Sequence, residues 1–296
     1  MQLETLSQIL ARASKEGWST GHFNISTLDQ MRAIVQAAAN LRSPIVVGTS
    51  EGERKFIGPR QAAMLRDAFR EELGLPIFLN ADHSKSVAAA TAAIDAGYDS
   101  IHIDLSALSF EENIKGTKEV VDYAKRKSQS AGYEINVEGE LGVLKTEQSK
   151  IYKEKIEVRP EDLTDPAEAA DFVSRTGIDR LAPAVGNFHG IAANEKVIYP
   201  DLIKKIRSAV PESVGITLHG GSGISDEQIR SAIEAGVNNI HINTEIRVAW
   251  TEAVKRSLND HPDETTPYKI LTPALEAVRL KVEEKLKLFG SINRLG

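Results

Sequence analysis

The sequence predicts an α/β protein that folds as a single (β/α)8 TIM barrel. Three observations support this prediction: eight short strand-like runs, helical hydrophobic patterns between most of them, and a glycine just past three of the predicted helices. A length of 296 residues is compatible with one domain, because α/β barrels routinely reach that size. We therefore expect residues 1–296 to form one barrel domain, with residues 259–296 as a C-terminal helical extension.

The strand candidates are short runs of apolar or small residues that stop at glycine or polar residues. They cover residues 21–25, 44–50, 77–83, 100–105, 135–141, 180–186, 215–221 and 239–244. Helical spacing predicts helices over residues 28–40, 59–72, 86–96, 110–131, 166–176, 199–209 and 226–235. Gly97, Gly177 and Gly236 follow predicted helices, where a left-handed cap returns the chain to the next strand. After a polar tract at 259–267, a last helix at about 273–288 is expected to pack on the barrel or on a neighbouring subunit.

The composition excludes several classes of function. A formal net charge of -6 disfavours the binding of long polyanions, so we expect no nucleic-acid partner. Because the chain has no cysteine, any metal ion must be held by His, Asp or Glu. Residues 1–5 lack the order of a signal peptide, and no uncharged apolar stretch approaches about 18 residues. We therefore expect a cytoplasmic protein with no membrane partner.

Three histidines stand where predicted strands end, namely His83, His189 and His219. In such barrels the active site lies at the carboxyl ends of the strands. A single histidine in a strand is usually a hydrogen-bonded core or surface residue. Three of them at strand ends, two followed at once by glycine, favour a catalytic Zn²⁺, which takes three protein ligands and leaves one position open.

Asp82 precedes the first of these histidines. Adjacent strand residues point to opposite faces, so Asp82 and His83 can address one site only if the backbone turns there. We favour an acid/base role for Asp82. The alternative is an N-cap for the helix that starts near Ser86, although Ser84 is also available for that purpose.

A glycine-rich segment, Gly220-Gly221-Ser222-Gly223, follows the seventh predicted strand and precedes a helix. Phosphate sites in barrels often form after strands seven and eight, where free amides and a helix N-terminus attract an anion. A plain connecting loop is the alternative, but the nearby Asn243 and Thr244 favour phosphate. Arg247, in a helical run after strand eight, is either an exposed helix residue or a phosphate clamp.

Further polar residues lie on the predicted strands. Asp104, together with Glu138 or Glu140, could accept a hydrogen bond from a metal-binding histidine or form an alternative metal position. Of the two glutamates we prefer Glu140, because it is nearer the end of its strand. A polar layer that fills the barrel mouth is the alternative. His102 and His241 lie inside strands and are interpreted as core residues, whereas His22 and His261 give no signal.

Lysine is absent from all eight predicted strands, which disfavours a Schiff-base mechanism. The loop lysines Lys85, Lys145 and Lys196 keep that alternative open. Metal catalysis is nevertheless the better supported chemistry, because its histidines and its carboxylate are all present.

Together these segments resemble the class II, metal-dependent fructose-bisphosphate and tagatose-bisphosphate aldolases over nearly the whole barrel. The matching segments, in chain order, are Gly21-His22-Phe23-Asn24, Ser50 to Phe56, Asp82-His83, Phe110 to Ile114, Glu138 to Gly142, Gly186-Asn187-Phe188-His189-Gly190, His219 to Gly223, and Asn243-Thr244-Glu245. All of these segments occur in the family's order, and the two glycine-flanked histidine motifs together are specific.

The resemblance implies a role for each matching residue. His83, His189 and His219 match zinc ligands, and Asp104 and Glu140 match carboxylates of an alternative or second metal position. Asp82 matches the residue that exchanges a proton with the C4 hydroxyl. Ser50 and Arg247 match residues that bind the other half of a bisphosphate, and Arg247 would do so across a dimer if one forms. The remaining implied substrate-binding residues are Asn24, Gly190, Gly220, Gly221, Ser222, His241, Asn243 and Thr244. The loop after strand five, where the family commonly carries paired glycines followed by an acid, reads Val143-Leu144-Lys145-Thr146-Glu147 here, and Glu147 is the candidate for the mobile acid that transfers a proton.

The activity implied is the cleavage of fructose 1,6-bisphosphate to dihydroxyacetone phosphate and glyceraldehyde 3-phosphate through an enediolate that Zn²⁺ stabilises. A second divalent ion and a monovalent cation are compatible with the family, as is a homodimer or homotetramer. The chain departs from the family at Ser84-Lys85-Ser86, at Ala192-Ala193 and at His241. These departures leave open tagatose bisphosphate or another ketose phosphate as substrate. A barrel that binds sugar phosphate without turnover is the third alternative.

Overall fold

The computed structural model describes residues 4–144 and 150–295. Within them, eight parallel strands pair in chain order, and the last pairs with the first, so that the sheet closes. The strands are β1 (Thr20–Asn24), β2 (Ile45–Thr49), β3 (Ile77–Ser84), β4 (Ser100–Ile103), β5 (Asn136–Leu141), β6 (Arg180–Pro183), β7 (Gly215–Leu218) and β8 (Asn239–Ile242). This architecture confirms the predicted (β/α)8 barrel. Several predicted strands run past the observed ends, by three residues at β6 and at β7, because the chain leaves the sheet after Pro183 and after Leu218.

Helices lie between the strands and cover the outside of the barrel. In the described residues they are α1 (Leu6–Glu16), α2 (Leu28–Leu41), α3 (Glu51–Ile57), α4 (Pro59–Leu73), α5 (Val87–Asp95), α6 (Phe110–Ala131), α7 (Pro166–Thr176), α8 (Pro200–Ala209), α9 (Asp226–Glu234), α10 (Thr244–Asp260) and α11 (Pro267–Leu288). The helices predicted between strands all form, with ends that differ by no more than one residue. Gly97, Gly177 and Gly236 all take positive φ, as their positions after helices require.

The helices α1 and α3 are missing from the sequence-based prediction, although both begin with a capping box. Thr5 and Gln8 form it in α1, and Ser50 and Glu53 form it in α3. The apolar face of α1 packs with Trp18, Val46 and Phe78, which lie near the amino ends of the strands. This helix therefore closes the end of the barrel opposite to the carboxyl ends of the strands.

The C-terminal helix differs from the prediction at its start. It begins at Pro267, so the expected start at residue 273 is wrong, and Pro273 lies inside the helix. Proline is favourable at the first helical position because no amide hydrogen is needed there, whereas Pro273 costs one backbone hydrogen bond. The buried face of α11 carries Val278, Val282 and Leu286, which belong to the main hydrophobic core, and the helix packs on α2 and α10. Its packing partner is therefore the barrel itself.

The interior of the barrel is unusually polar toward the carboxyl ends of the strands. Alternation along β4 and β5 sends their isoleucine and valine side chains into the hydrophobic core with the surrounding helices, and their charged and histidine side chains into the barrel. These interior residues, all buried, are His102, Asp104, Glu138 and Glu140. Branched apolar residues usually fill such a barrel, so the polar filling marks this end as the functional one. No helix of the described residues is long and apolar enough to cross a bilayer.

Candidate active site

The end of β3 is irregular, and this irregularity brings Asp82 and His83 together. The pairing of β3 with β4 shifts register between Ala81 and Ser84, and His83 has φ 45°, in the left-handed region. Few residues other than glycine adopt that conformation. Both side chains are buried, and His83 Nε2 lies 3.8 Å from Asp82 Oδ1. The backbone turn that the sequence argument requires is therefore present.

The rings of the three predicted metal ligands gather at the barrel mouth. The ring centroid of His83 lies 4.8 Å from that of His189 and 4.7 Å from that of His219, and the latter two are 6.1 Å apart. His83 Nδ1 contacts Asp104 Oδ2 at 2.7 Å, and His219 Nε2 contacts Glu138 Oε1 at 2.6 Å. Carboxylates that hold one ring nitrogen in this way orient the other nitrogen toward a metal ion.

Burial keeps two of these rings neutral. It lowers the pKa of His189 well below the usual value, and the charges of His83 and His219 lower it further. Burial and the charge of His102 also lower the pKa of His219, although Glu138 opposes them. Because only neutral imidazole offers a lone pair to a metal, this electrostatic environment suits ligands.

His102, interpreted from the sequence as a core residue, belongs to the polar cluster. Its Nε2 lies 3.2 Å from Glu140 Oε2, and its Nδ1 lies 3.7 Å from Asp82 Oδ1 and 3.8 Å from Glu138 Oε1. Burial alone would lower its pKa, but the charges of Glu138, Asp82 and Glu140 prevail and raise the pKa to about 10. The period-two spacing of His102 and Asp104 on one strand was the signal that could have identified it.

Asp82 is held as a carboxylate. Burial favours its neutral form, but His83, His102 and His241 outweigh this effect and hold its pKa well below the usual range. Its Oδ1, which has no hydrogen-bond partner among the described residues, lies 3.4 Å from His241 Nδ1. The capping alternative is wrong, because Ser86 caps α5 by accepting from the Ala89 amide at 3.1 Å.

A chain of side chains connects Asp82 to Arg247. The Asn24 side-chain amide donates to Asp82 Oδ2 and to Glu53 Oε2, each at 3.0 Å. Glu53 Oε1 in turn accepts from Arg247 Nη2 at 2.5 Å. Arg247 therefore forms an ion pair inside its own chain, beside the site. Glu53 was not identified from the sequence, because its partners lie far away along the chain.

A second group of ligands surrounds Asp104 and Glu140. Asp104 Oδ1 accepts from Ser106 Oγ at 2.7 Å, and Ser106 Oγ also lies 3.2 Å from Glu140 Oε1. Lys85 forms an ion pair with Asp104. Although burial would raise the pKa of Asp104, the neighbouring His83, His102 and Lys85 hold it well below the usual range. Both candidate glutamates take part, because Glu138 serves His219 while Glu140 faces this second group.

Within the described residues, histidines and carboxylates form overlapping groups whose ligand atoms lie within 4.8 Å of one another. Two of these groups suit a metal poorly. His22 and His241 stack with ring centroids 3.5 Å apart and an angle of 6°, so their nitrogens lie in parallel planes and do not converge on one ion. Glu138 is already engaged by Arg180 at 3.2 Å and by Thr217 at 2.9 Å. The remaining two groups both contain His83.

A narrow cavity of about 30 Å³ adjoins the histidines. Besides Asn24, Asp82 and the histidines 83, 189, 219 and 241, the predicted substrate-binding residues Gly190, Gly220, Ser222, Asn243 and Thr244 line it. Asn243 Oδ1 is buried and has no hydrogen-bond partner among the described residues, so it can accept from a ligand hydroxyl. Gly221 is held nearby by its amide, which donates to the carbonyl of His241 at 3.0 Å.

Two glycines of this cavity cannot be replaced without strain. Gly190 and Gly220 have φ 79° and 62°, and a Cβ atom on Gly220 would lie 2.2 Å from the Phe188 carbonyl oxygen. The positive φ angles and the close contact at Gly220 both agree with the prediction that glycine beside His189 and His219 allows close backbone approach. The two histidine loops therefore pack directly against each other through their backbones.

A wider cavity of about 560 Å³ shares His83 and His189 with the narrow one. Its walls include Ser50 and Lys85. Ser50 also caps α3, with its Oγ accepting from the Glu53 amide at 3.4 Å. Lys145 and Glu147 lie outside the described residues. Another cavity, of about 460 Å³, lies near the amino ends of the strands, and its Arg66 and Arg70 are already paired with Asp67 and Asp99.

Comparison with known proteins shows the family to which this chain belongs. The family model described as fructose-bisphosphate aldolase class-II matches residues 4–294. A fructose-bisphosphate aldolase of Geobacillus stearothermophilus is 35% identical over 294 residues, which are 98% of each chain. A probable fructose-bisphosphate aldolase of Bacillus subtilis is 35% identical over 99% of this chain and 100% of its own. The crystal structure of the YdjI aldolase from Escherichia coli K12 covers 100% of both chains with 30% identity and a TM-score of 0.82. The chain therefore belongs to the class II fructose-bisphosphate aldolase family, and it is an enzyme of the lyase class.

Proposed function

We propose that this enzyme is a zinc-dependent aldolase that cleaves fructose 1,6-bisphosphate to dihydroxyacetone phosphate and glyceraldehyde 3-phosphate. The observation on which the proposal depends is the buried carboxylate of Asp82, which lies 3.8 Å from His83 Nε2 inside a cluster of histidines. A base beside three imidazoles suits the removal of a hydroxyl proton at a metal centre.

The imidazole and carboxylate groups present suit a divalent ion, although His189 is not part of any group of the described residues whose ligand atoms lie within 4.8 Å of one another. His83, His189 and His219 would hold it, with Asp104 and Glu138 behind the first and the last of them. Arg180 offsets the charge of Glu138, Lys85 that of Asp104 and His102 that of Glu140, so the carboxylate of Asp82 remains to attract positive charge. When bound, Zn²⁺ supplies a Lewis acid close to the oxygen atoms of the dihydroxyacetone phosphate half.

The side chains of the enzyme divide the remaining work. Asp82 takes the proton of the C4 hydroxyl, the C4 oxygen becomes the aldehyde carbonyl, and the electron pair of the C3–C4 bond moves onto C3 beside the C2 carbonyl. C3 then receives a proton, for which we propose Glu147 as the acid. Asn24 keeps Asp82 in place, because its amide binds the oxygen that does not take the proton.

We assign the phosphate of the dihydroxyacetone phosphate half to the narrow cavity. Gly190, Gly220 and Gly221 let the backbone approach it, while Ser222, His241, Asn243 and Thr244 address phosphate and hydroxyl groups. The aldehyde half occupies the wider cavity, where Ser50 stands, and Arg247 acts on it through Glu53 or across a dimer. Asp104 and Glu140 serve as the alternative or second metal position.

The test compares three preparations of the protein: as isolated, depleted of metal, and reloaded with zinc. Cleavage of fructose 1,6-bisphosphate is measured by coupled release of the triose phosphates. We expect activity to vanish on depletion and to return with zinc, and Asp82→Asn to lower kcat by roughly 10²–10⁴ while the protein retains zinc. Full activity after depletion, or a lysine adduct trapped by borohydride, would reject the mechanism.

Lys85 favours a second candidate substrate within the same chemistry. It is a cationic residue in the wall of the wider cavity, and it belongs to the segment Ser84-Lys85-Ser86, which stands where the family usually has glycine after Asp-His. A different ketose phosphate, such as tagatose bisphosphate, therefore remains a candidate. Because fructose and tagatose 1,6-bisphosphate differ only at C4 and yield the same triose phosphates, kcat/KM for cleavage of the two epimers decides between them. A strong preference for fructose 1,6-bisphosphate would reject this second candidate.

We also propose that residues 1–296 act as one domain, with 259–296 as its extension, in a cytoplasmic homodimer or homotetramer. Sedimentation measures that assembly. The alternative of a barrel that binds sugar phosphate without turnover is set aside, because the chain belongs to a family of lyases.

A further inference from the structure

Lys196 is a lysine that the proposed chemistry does not use. It lies after β6, is 2% exposed, and its ammonium is aimed at residues 220–223, which we call the glycine loop. Lys196 Nζ donates to the carbonyl oxygen of Gly220 at 2.5 Å and to that of Ser222 at 2.6 Å. The ring of Phe188 lies beside it, with 4.7 Å between Nζ and the ring centroid. The ammonium is thus coordinated by main-chain oxygens and an aromatic face.

No carboxylate of the residues described by the structure lies within ion-pair distance of this ammonium. Burial lowers the pKa of Lys196 to about 7, and the charge of Glu245 opposes that effect only in part. Glu245 is itself engaged, because its Oε2 pairs with Lys285 Nζ at 2.8 Å and its Oε1 accepts from the Gly223 amide. In its protonated form Lys196 therefore places beside the glycine loop a positive charge that no described carboxylate neutralises, and a buried cation without a counter-ion is costly.

The position of this charge relates it to the narrow cavity. Gly220 and Ser222 line that cavity, and their carbonyl oxygens are turned toward Lys196. Proteins hold monovalent cations with the same kind of carbonyl oxygens. An anion in the cavity would supply the missing counter-charge to Lys196 across the loop.

We infer that Lys196 is a tethered monovalent cation for the phosphate site: its ammonium holds the carbonyls of the glycine loop where a free K⁺ or Na⁺ ion would otherwise bind. The inference rests on the proposed function in so far as the ligand is the phosphate of a ketose phosphate. It makes Lys196 a positioning residue, which acts on the anion through the loop. Its consequence is that the enzyme binds phosphate without any added monovalent metal ion.

The test measures the Kd of the zinc-loaded enzyme for inorganic phosphate by calorimetry in choline, sodium or potassium chloride at one ionic strength. For the wild type we expect the same Kd, within about twofold, in all three salts. For Lys196→Met we expect a Kd at least about tenfold higher in choline chloride. Potassium chloride, or ammonium chloride tested as a fourth salt on this variant, should restore much of that loss, because a free ion can occupy the vacated carbonyl oxygens.

Two variants serve as matched controls. Lys196→Arg keeps the charge and should bind phosphate in choline chloride better than Lys196→Met. Lys204→Met removes an exposed lysine of α8 and should change nothing. KM for the ketose bisphosphate should follow the Kd pattern, with a smaller change in kcat. If Lys196 only fastened the loop, Lys196→Met would lose phosphate binding and no monovalent ion would restore it.

A wild type whose phosphate affinity requires K⁺ overturns the inference, even if Lys196→Met does not fold. A Lys196→Met variant with wild-type affinity, or one that does not respond to potassium and ammonium, overturns it equally. These outcomes are separate from the fate of the proposed function. Failure to cleave any ketose bisphosphate would reject the proposed function while the response of phosphate binding to salt still decides the role of Lys196.

Discussion

The side-chain amide of Asn24 lies 3.0 Å from Asp82 Oδ2 and occupies the space between that carboxylate and the carboxylate of Glu53. Its two N–H groups are thus divided between two buried anions, one of which also pairs with Arg247. The proposed base is therefore oriented by a residue of β1, on the far side of the strand ring from the β4 and β5 carboxylates.

This relationship predicts the behaviour of an Asn24→Ala variant. Asp82 loses its only amide donor among the described side chains and turns toward the histidines, so we expect kcat for cleavage to fall about 10–100-fold. The zinc content should not change. Asn40→Ala, which removes an exposed amide that donates to Glu283, is the matched control. Unchanged kcat in Asn24→Ala would show that Asp82 needs no such support.

Replacement of Glu138 by Gln should weaken zinc binding. The carboxylate holds His219 Nε2 at 2.6 Å, and loss of such a partner typically costs 10–100-fold in metal affinity or activity. Competition with a chelator measures the change in Kd for zinc. Glu111→Gln, which removes an exposed glutamate paired with Arg175, should leave that Kd unchanged. Equal zinc affinity in both variants would contradict the assignment of His219 as a ligand.

From the raised pKa of His102 we predict that the stability of the metal-free protein depends on pH. Its pKa is raised to about 10 in the folded state, so its contribution is fully present below the unfolded value of roughly 6.5 and is lost as the pH rises through 10. His102→Gln leaves buried carboxylates uncompensated, so we expect it to lower the free energy of unfolding by roughly 3–5 kcal/mol at pH 6. Urea unfolding at several pH values measures this difference.

The difference between wild type and His102→Gln should shrink steadily between about pH 6.5 and pH 10. His261→Gln, at an exposed position after α10, is the control and should show no such trend. A difference that stays constant over this range would mean that His102 is neutral in the folded protein.

Gly220→Ala should destabilise the protein and disturb the phosphate site. Its Cβ atom would lie 2.2 Å from the Phe188 carbonyl oxygen, and φ 62° is strained for alanine. A cost of about 1–3 kcal/mol in the free energy of unfolding is expected, with weaker phosphate binding. Gly52→Ala, in α3 with open space around it, should instead raise stability by about 0.5–1 kcal/mol. Thermal unfolding of both variants measures whether stability falls in Gly220→Ala and rises in Gly52→Ala.

The fold could be predicted because its signals are local. Glycines after helices and alternating apolar runs depend on neighbours a few residues away, and the barrel follows from their order. Of the site, the three histidines and Asp82 could be predicted to converge because strand ends meet at one face of a barrel. His102 was missed because a histidine inside a strand is ordinarily a core residue, although its spacing from Asp104 placed both on one face.

Other features required contacts that no local pattern contains. Glu53 and Arg247 are 194 positions apart, and only the closed ring brings them together. The turn at His83 could be stated as a requirement, but its φ of 45° and the register shift against β4 depend on the neighbouring strand. Lys196 likewise acquires its role only from the carbonyls of Gly220 and Ser222.

Closure of the ring also governs the order of events as the protein is made. Asn24 belongs to β1, whereas Asn243 and Arg247 follow β8, the strand that pairs with β1. Most of the chain must leave the ribosome before these residues can meet, and pairings so distant along a chain form slowly. Catalytic competence is therefore acquired late in biosynthesis, and a nascent chain that ends before β8 exposes two unpaired strand edges that invite association with other chains.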